Sequence, residues 1–195
     1  MKRVFLAFAA LAALPLAAQA GDLSYNYLQA GYGYSHGDNG RNAHGWHGTA
    51  SAALGDHFQV FGGGGTTDRD IPAGSTSGEG WNLGAGFHTG ISDRTDFVGD
   101  VDYLRSHLDG VSGSVKTWAG EVGVRSAMAP KFEGWVMAGY ARGHNEIGDV
   151  DRGTHGRAFG RLGGQYKFTK NWGLVAEGRV TSEGQGIFLG PRVSF

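Results

Sequence analysis

The chain has 195 residues, which favours one domain, and 37 of them are Gly, against a usual share of roughly 7%. Its 11 Phe, 7 Tyr and 5 Trp are too many for a disordered chain, and its 4 Pro are too few for collagen. The near balance of 17 basic and 18 acidic residues argues against a nucleic-acid-binding protein. With 0 Cys, the chain has no disulfide, thiolate metal site or Cys nucleophile.

The beginning of the chain has the pattern of a cleavable signal peptide. Lys2 and Arg3 precede an apolar run, Val4–Ala18, and the sequence Ala-Gln-Ala at 18–20 is a small-x-small cleavage site. The less favoured alternative is a membrane anchor, because the run is shorter than the roughly 18–20 residues of a spanning helix. We therefore predict a signal peptide at 1–20 and an exported domain at 21–195.

The exported domain alternates apolar and polar residues with a period of two, which is typical of β-strands. From Trp81 to Ile91, apolar residues and Thr occupy one face, and Gly, Asn and His occupy the other. Ten such segments predict an all-β fold, a closed antiparallel transmembrane β-barrel with an up-and-down meander, and eight strands are the alternative. A soluble β-sandwich is less favoured because the polar face carries charges at mid-strand and is rich in Gly.

Three of the ten segments alternate less clearly. They are about Leu23–Ser35, Phe58–Thr67 and Phe132–His144. In the last of them, the pattern does not decide whether Trp135 and Met137 or Val136 and Tyr140 face outward. The orientation of this segment therefore stays open.

The connections between segments alternate in length, which predicts their side of the membrane. Short turns face the periplasm in bacterial barrels, and longer polar loops, here 36–44, 68–78, 107–114 and 145–154, face outside. Aromatic residues near strand ends are expected at the two membrane interfaces. These are Tyr25, Trp46, Trp81, Phe97, Trp118, Tyr166, Trp172 and Phe195. The apolar strand that ends in Phe195 is expected to engage the barrel-assembly machinery.

Charged residues on the polar faces predict a charge network inside a narrow lumen. The network comprises Asp100, Asp102, Glu121, Arg125, Arg157, Arg161, Lys167, Glu177, Arg179 and Arg192. Because an unpaired buried charge is costly, these groups are expected to pair and fill the lumen. The alternative is a narrow small-solute pore, which these basic groups would make mildly anion-selective. Replacing Arg161 would then change stability in the first case and conductance in the second.

Other basic residues collect toward the outer end and are expected to contact lipid phosphate. They are Arg41, Arg69, Arg105, Lys116, Arg142 and Arg152. Since Arg binds phosphate well, outer-membrane lipid and lipopolysaccharide are the predicted partners. Six His residues near the outer end, which we call the rim His residues, are scattered along the chain: His36, His44, His47, His107, His144 and His155. No metal or other cofactor is therefore predicted. No enzymatic activity is predicted either, because the adjacent Ser106 and His107 point to opposite faces of a strand.

Six short motifs carry a resemblance to a known family. They are Leu23-Ser24-Tyr25-Asn26-Tyr27, Phe61-Gly62-Gly63-Gly64, Glu121-Val122-Gly123-Val124-Arg125, Gly160-Arg161-Leu162-Gly163-Gly164-Gln165, Asn171-Trp172-Gly173-Leu174 and Gly190-Pro191-Arg192-Val193-Ser194-Phe195. The chain resembles the small xanthomonad-type family named for activating XA-receptor immunity in rice. The resemblance implies an outer-membrane barrel that is also present in shed vesicles, and it implies no catalytic residue. The expected role is in envelope structure or in contacts made by the outer loops.

Overall fold

The computed structural model describes residues 23–38, 40–71, 74–110, 113–147 and 150–195, without the side chains of 71, 145–147 and 150–153. Ten antiparallel strands form a closed barrel in meander order, in which β1 also pairs with β10. The predicted fold class is confirmed, and the alternatives of eight strands and a β-sandwich are wrong. The predicted signal peptide at 1–20 lies outside the described residues. Among the described residues, no helix is long and apolar enough to cross a membrane.

Each strand overlaps one alternating segment, and most strands extend beyond it at the end opposite the short turns. The strands are β1 (Tyr27–Gly37), β2 (Asn42–Leu54), β3 (Phe58–Ile71), β4 (Gly74–Ser92), β5 (Thr95–Leu108), β6 (Gly113–Ala129), β7 (Phe132–Ile147), β8 (Val150–Lys167), β9 (Trp172–Thr181) and β10 (Gly184–Ser194).

The apolar face of the strands forms the outer surface of the barrel. Leu83, Leu162 and Ile187 are each more than half exposed, whereas the inward-facing His88 and Gln165 are buried. In a closed sheet every second side chain must point outward, and an apolar exterior is stable only against lipid. The barrel is therefore a transmembrane barrel of the outer-membrane type.

One end of the barrel carries turns 55–57, 93–94, 130–131 and 168–171. Ser24 donates a hydrogen bond to the carbonyl of Phe195 at this end, and the amide of Ser194 donates to the carbonyl of Asn171. Short turns and both chain ends lie on the periplasmic side in outer-membrane barrels. We therefore call this the periplasmic end and the opposite one the extracellular end.

The expectation of long irregular loops at the extracellular end is wrong for the described residues. The segments predicted as loops are mostly strand, as where Asp68 pairs with Ser77 and Arg69 with Thr76 in the β3–β4 ladder. Continuing the ladder satisfies backbone N–H and C=O groups that an irregular loop would leave to water. The extracellular surface thus consists of extended hairpins with short turns.

The structure resolves the open orientation of β7. Trp135 and Met137 are buried in the lumen, whereas Val136 and Tyr140 are more than half exposed on the outer surface. The barrel interior can hold the large Trp135 ring because Gly163, its partner on β8, has no side chain. Aromatic character alone therefore does not indicate the lipid-facing side.

Candidate functional site

All ten residues predicted for the lumen network lie on the inner face, but they divide into groups. Arg161 joins Glu121 and Glu177 in one group, which we call the upper charge cluster. Arg125, Lys167 and Arg192 surround Glu133 in the lower charge cluster, nearer the periplasmic end. Asp100, Asp102 and Arg179 line the open space toward the extracellular end. Arg157 pairs with the exposed Glu183 at the rim, so it contributes little to the network.

The upper charge cluster spans three strands, β6, β8 and β9. The Arg161 guanidinium donates to both carboxylate oxygens of Glu121, and its Nη1 donates to Glu177 Oε2 at 2.7 Å. The indole Nε1 of Trp135 donates to the same Glu177 oxygen at 2.9 Å. A planar guanidinium suits two carboxylates at once, so this group fixes the relative position of three strands across the lumen.

The lower charge cluster is built around one buried carboxylate. The Glu133 side chain is 1% exposed, and its Oε1 accepts from Arg125 Nη2 at 2.6 Å. Lys167 Nζ lies 3.4 Å from its other oxygen, and Arg192 Nη1 lies 3.6 Å from Oε1. Three cations thus surround one anion, in a part of the lumen where Gln165 and Val175 are also fully buried.

Glu133 is not among the lumen residues predicted from the sequence. The orientation of β7 was open, so Glu133 had no assigned face. Its spacing carried a usable signal, because Glu133, Trp135 and Met137 share one face of a strand. Turning that face outward would have placed a carboxylate against lipid, which disfavours that orientation.

Arg192 links the lower charge cluster to aromatic rings and to β1. Its Nε donates to Gln29 Oε1 at 2.8 Å. Its Cζ lies 4.2 Å from the Tyr27 ring centroid and 5.1 Å from that of Trp135. A guanidinium among aromatic faces and amide oxygens is stabilised without a further carboxylate.

The segment before β1 closes the periplasmic end, which corrects two expectations. The predicted strand began at Leu23, but β1 begins at Tyr27, and Tyr25 is 2% exposed rather than at the membrane interface. The Tyr25 ring stacks on His88, and its hydroxyl donates to Asp96 Oδ2 at 2.8 Å. Burial raises the pKa of the Tyr25 hydroxyl, so it stays a neutral donor. The Tyr25 ring turns inward because, inside the lumen, His88 stacks on its face and Asp96 accepts the hydrogen bond of its hydroxyl.

Two cavities lie along the lumen. A cavity of about 60 Å³ lies among Tyr25, Arg125 and Met137, which is room for water and little else. The second, which we call the upper cavity, has about 650 Å³ and extends from Arg192 at the top of the lower charge cluster, past Arg161, to Leu108 near the extracellular end. The interior is therefore open on the extracellular side and filled on the periplasmic side.

The remaining predicted interface aromatics lie on the outer surface. Trp46, Trp81, Phe97, Trp118, Tyr166, Trp172 and Phe195 are each at least 36% exposed. Rings also pack on one another along this surface, as where Tyr103 lies between Trp81 and Trp118. An outward position of these rings is what the predicted aromatic belts at the membrane interfaces require.

The six predicted rim cations do not form one group. Arg105, Lys116 and Arg142 project from the outer surface, in register with outward-facing neighbours. Arg69 lies on the inner face and lines the upper cavity, and Arg41 lies in the β1–β2 turn. The side chain of Arg152 lies outside the described part of the chain.

The rim His residues mostly bond to nearby groups. His44 Nδ1 lies 2.8 Å from the Tyr32 hydroxyl, and His36 Nδ1 lies 2.7 Å from Asn42 Oδ1. Within the described ranges, no three His, Asp or Glu side chains are grouped so that they could hold a metal ion. Ser106 and His107 both line the upper cavity, and His107 Nδ1 lies 2.7 Å from the carbonyl oxygen of Gly113.

Comparisons with known proteins agree with this architecture. The chain is similar to the translocator domain of the autotransporter NalP from Neisseria meningitidis, with a TM-score of 0.52, 14% identity and coverage of 100% of this chain and 94% of that one. It is also similar to the NanC porin, with a TM-score of 0.51, 9% identity and coverage of 87% and 100%. No family model matches, and no curated protein matches. These likenesses identify the fold of outer-membrane β-barrels, and the resemblance to the rice-immunity family stays a prediction.

Proposed function

We propose that this protein is a non-conducting outer-membrane barrel that acts in envelope structure and in contacts at the cell surface. The observation that carries the proposal is the lower charge cluster, in which Glu133 is 1% exposed among Arg125, Lys167 and Arg192. A solute that crossed the lumen would have to separate these charges. Separating a buried ion pair leaves an uncompensated charge, which costs about 3–5 kcal/mol.

The segment that includes Tyr25 reinforces the closure. Its ring lies across the periplasmic end, with Arg125 Cζ 4.8 Å from the ring centroid. Leu23 joins the buried cluster that also contains Val98, Ala127 and Val175. The periplasmic half therefore has a packed core in addition to its ion pairs, and packed cores do not admit solutes without rearranging.

The extracellular half supports the proposed surface role. Strand β4 has 19 residues, about twice the roughly 9–11 needed to cross a bilayer, so its hairpin with β3 extends beyond the membrane. The hairpins present polar side chains such as Ser77, which donates to Asp68 Oδ1 at 2.6 Å. A hairpin whose backbone is already paired in a ladder suits contacts with neighbouring molecules, because less entropy is lost on binding than for an irregular loop. The proposed function includes no catalysis.

A small-solute channel is the second candidate, and the upper cavity favours it. This cavity contains the charges that would select solutes, among them Asp102 and Arg179. Arg179 Cζ lies 3.8 Å from the Phe159 ring centroid, and the side chain lines the upper cavity. For this candidate to hold, the lower charge cluster would have to open.

The bilayer conductance of the refolded protein distinguishes the two candidates. We expect no steady current steps from protein whose heat-modifiable gel migration proves that it is folded. Arg161→Ala and Arg142→Ala form a matched pair, since the first changes the lumen and the second the outer surface. Steady steps in the wild type that change with Arg161→Ala, and not with Arg142→Ala, would replace the proposal with the channel.

A further inference from the structure

Three of the rim cations lie side by side on the outer surface, and we call them the outer basic cluster: Arg105, Lys116 and Arg142. Arg105 on β5 stands directly opposite Lys116 on β6. On the next strand, Lys116 is opposite His144, and Trp118 is opposite Arg142. Lys116 and Arg142 are therefore diagonal neighbours on one face, within reach of a single ligand.

The outer basic cluster lies directly next to a row of aromatic rings. Tyr103 precedes Arg105 on the same face of β5, and its ring centroid lies 5.1 Å from Trp118 and 5.7 Å from Trp81. Rings of this kind on a barrel exterior mark the level of the lipid headgroups. The cations continue the same strands toward the extracellular end, so they lie at the headgroups of the outer leaflet.

The two arginines of the cluster are not used by the barrel itself. Among the described residues, neither Arg105 nor Arg142 forms an ion pair. Glu79, a diagonal neighbour of Arg105 on β4, is exposed and does not pair with it. Arg105 instead stands opposite Lys116, which is itself engaged within the chain, so the guanidinium groups of Arg105 and Arg142 are the ones left for an anion from outside.

We propose that the outer basic cluster binds the phosphate groups of the phosphorylated glycolipid in the outer leaflet, the lipid A part of lipopolysaccharide. Guanidinium groups match phosphate oxygens through paired hydrogen bonds. The acyl chains of the same molecule would lie against Val101 and Val122, which are 55% and 54% exposed below the aromatic row. This site is additional to the proposed function, because a closed barrel need not select any lipid.

The test is native mass spectrometry of the refolded protein in non-ionic detergent, titrated with lipid A and with dephosphorylated lipid A. The variant is the double substitution Arg105→Gln and Arg142→Gln. The matched control is Arg41→Gln with Arg69→Gln, which removes the same charge at the same end but from a turn and from the inner face. Heat-modifiable migration establishes that each protein is folded.

We expect the double variant to bind lipid A at least about tenfold more weakly, because two charge-assisted interactions are lost, while the control binds as the wild type does. The wild type should prefer lipid A over its dephosphorylated form by a similar factor. Unchanged binding by the variant, or an equal loss in the control, would overturn the site. Equal binding of lipid A and dephosphorylated lipid A would also overturn the site. Full displacement of lipid A by inorganic phosphate would overturn it as well, because that result would indicate a site for free anions. None of these results depends on conductance.

Discussion

The Tyr25 ring stacks on the His88 ring, with centroids 3.7 Å apart and planes within 9°. This contact ties the segment before β1 to β4 across the periplasmic end of the lumen. The stack lies beside Arg125. It therefore joins the segment before β1, the lower charge cluster and strand β4 into one packed unit. The periplasmic half should therefore lose stability whenever one of these parts is removed.

Tyr25→Ala should destabilise the barrel by about 3–5 kcal/mol, since a large buried ring is replaced by a void. Tyr25→Phe keeps the stack and removes only the hydrogen bond to Asp96, so it should cost about 1 kcal/mol. Urea unfolding in detergent micelles measures both. The control is Tyr32→Ala on the outer surface, where the ring is 41% exposed. If Tyr32→Ala costs as much as Tyr25→Ala, the inward placement of Tyr25 is wrong.

Glu133→Gln should destabilise the barrel by about 3–5 kcal/mol, because it leaves the buried Arg125 and its neighbours without their anion. Glu183→Gln is the matched control, since Glu183 also pairs with an arginine but is 60% exposed. It should cost less than about 1 kcal/mol. The midpoint of heat-modifiable migration ranks the two variants. Similar midpoints for both would contradict the buried position of Glu133.

Gly163→Ala should be destabilising by about 1–3 kcal/mol, because the added methyl group would overlap the Trp135 indole. Gly160→Ala on the same strand faces outward, and its methyl group would meet only a Val180 methyl at 3.5 Å. We expect that variant to be as stable as the wild type or slightly more so. Urea unfolding of the two variants measures the difference between their free energies of unfolding. Equal stabilities would mean that the Trp135 indole does not pack against Gly163 on β8.

Fluorescence should separate Trp135 from the other tryptophans. A protein that retains only Trp135, which is 5% exposed, should be quenched weakly by brominated lipids. A protein that retains only Trp118, which is 60% exposed on the lipid side, should be quenched strongly. Strong quenching of Trp135 would show that β7 faces the opposite way.

The fold was predictable from the sequence wherever one face was uniformly apolar. β4 has such a face from Trp81 to Ile91, and the structure orients it as expected. β7 carries large side chains on both faces, so the alternation of apolar residues left its orientation open, although Glu133 on the same face as Trp135 favours turning that face inward. The position of Tyr25 depends on its contact with His88, which lies 63 residues further along the chain (88 minus 25). A local sequence pattern does not encode a contact over that distance.

The candidate site was partly predictable for the same reason. Inward charges such as Arg161 and Glu121 followed from alternation, but their grouping follows from barrel closure and register. Glu133, the centre of the lower charge cluster, was missed because its strand had no assigned face. The outer basic cluster likewise needed the register, which places Arg105 opposite Lys116 and turns Arg69 inward.

Thiol labelling tests most directly the central claim that the lumen is open at the extracellular end and closed at the periplasmic end. Ala119 lines the upper cavity and Ala127 lies in the buried periplasmic cluster, both on the inner face of β6. Because the chain has 0 Cys, Ala119→Cys and Ala127→Cys each introduce a unique label site. A membrane-impermeant thiol reagent added from the extracellular side should label the first variant rapidly and leave the second unlabelled until the barrel is denatured. Equal labelling rates in folded protein would mean that the lumen is open throughout.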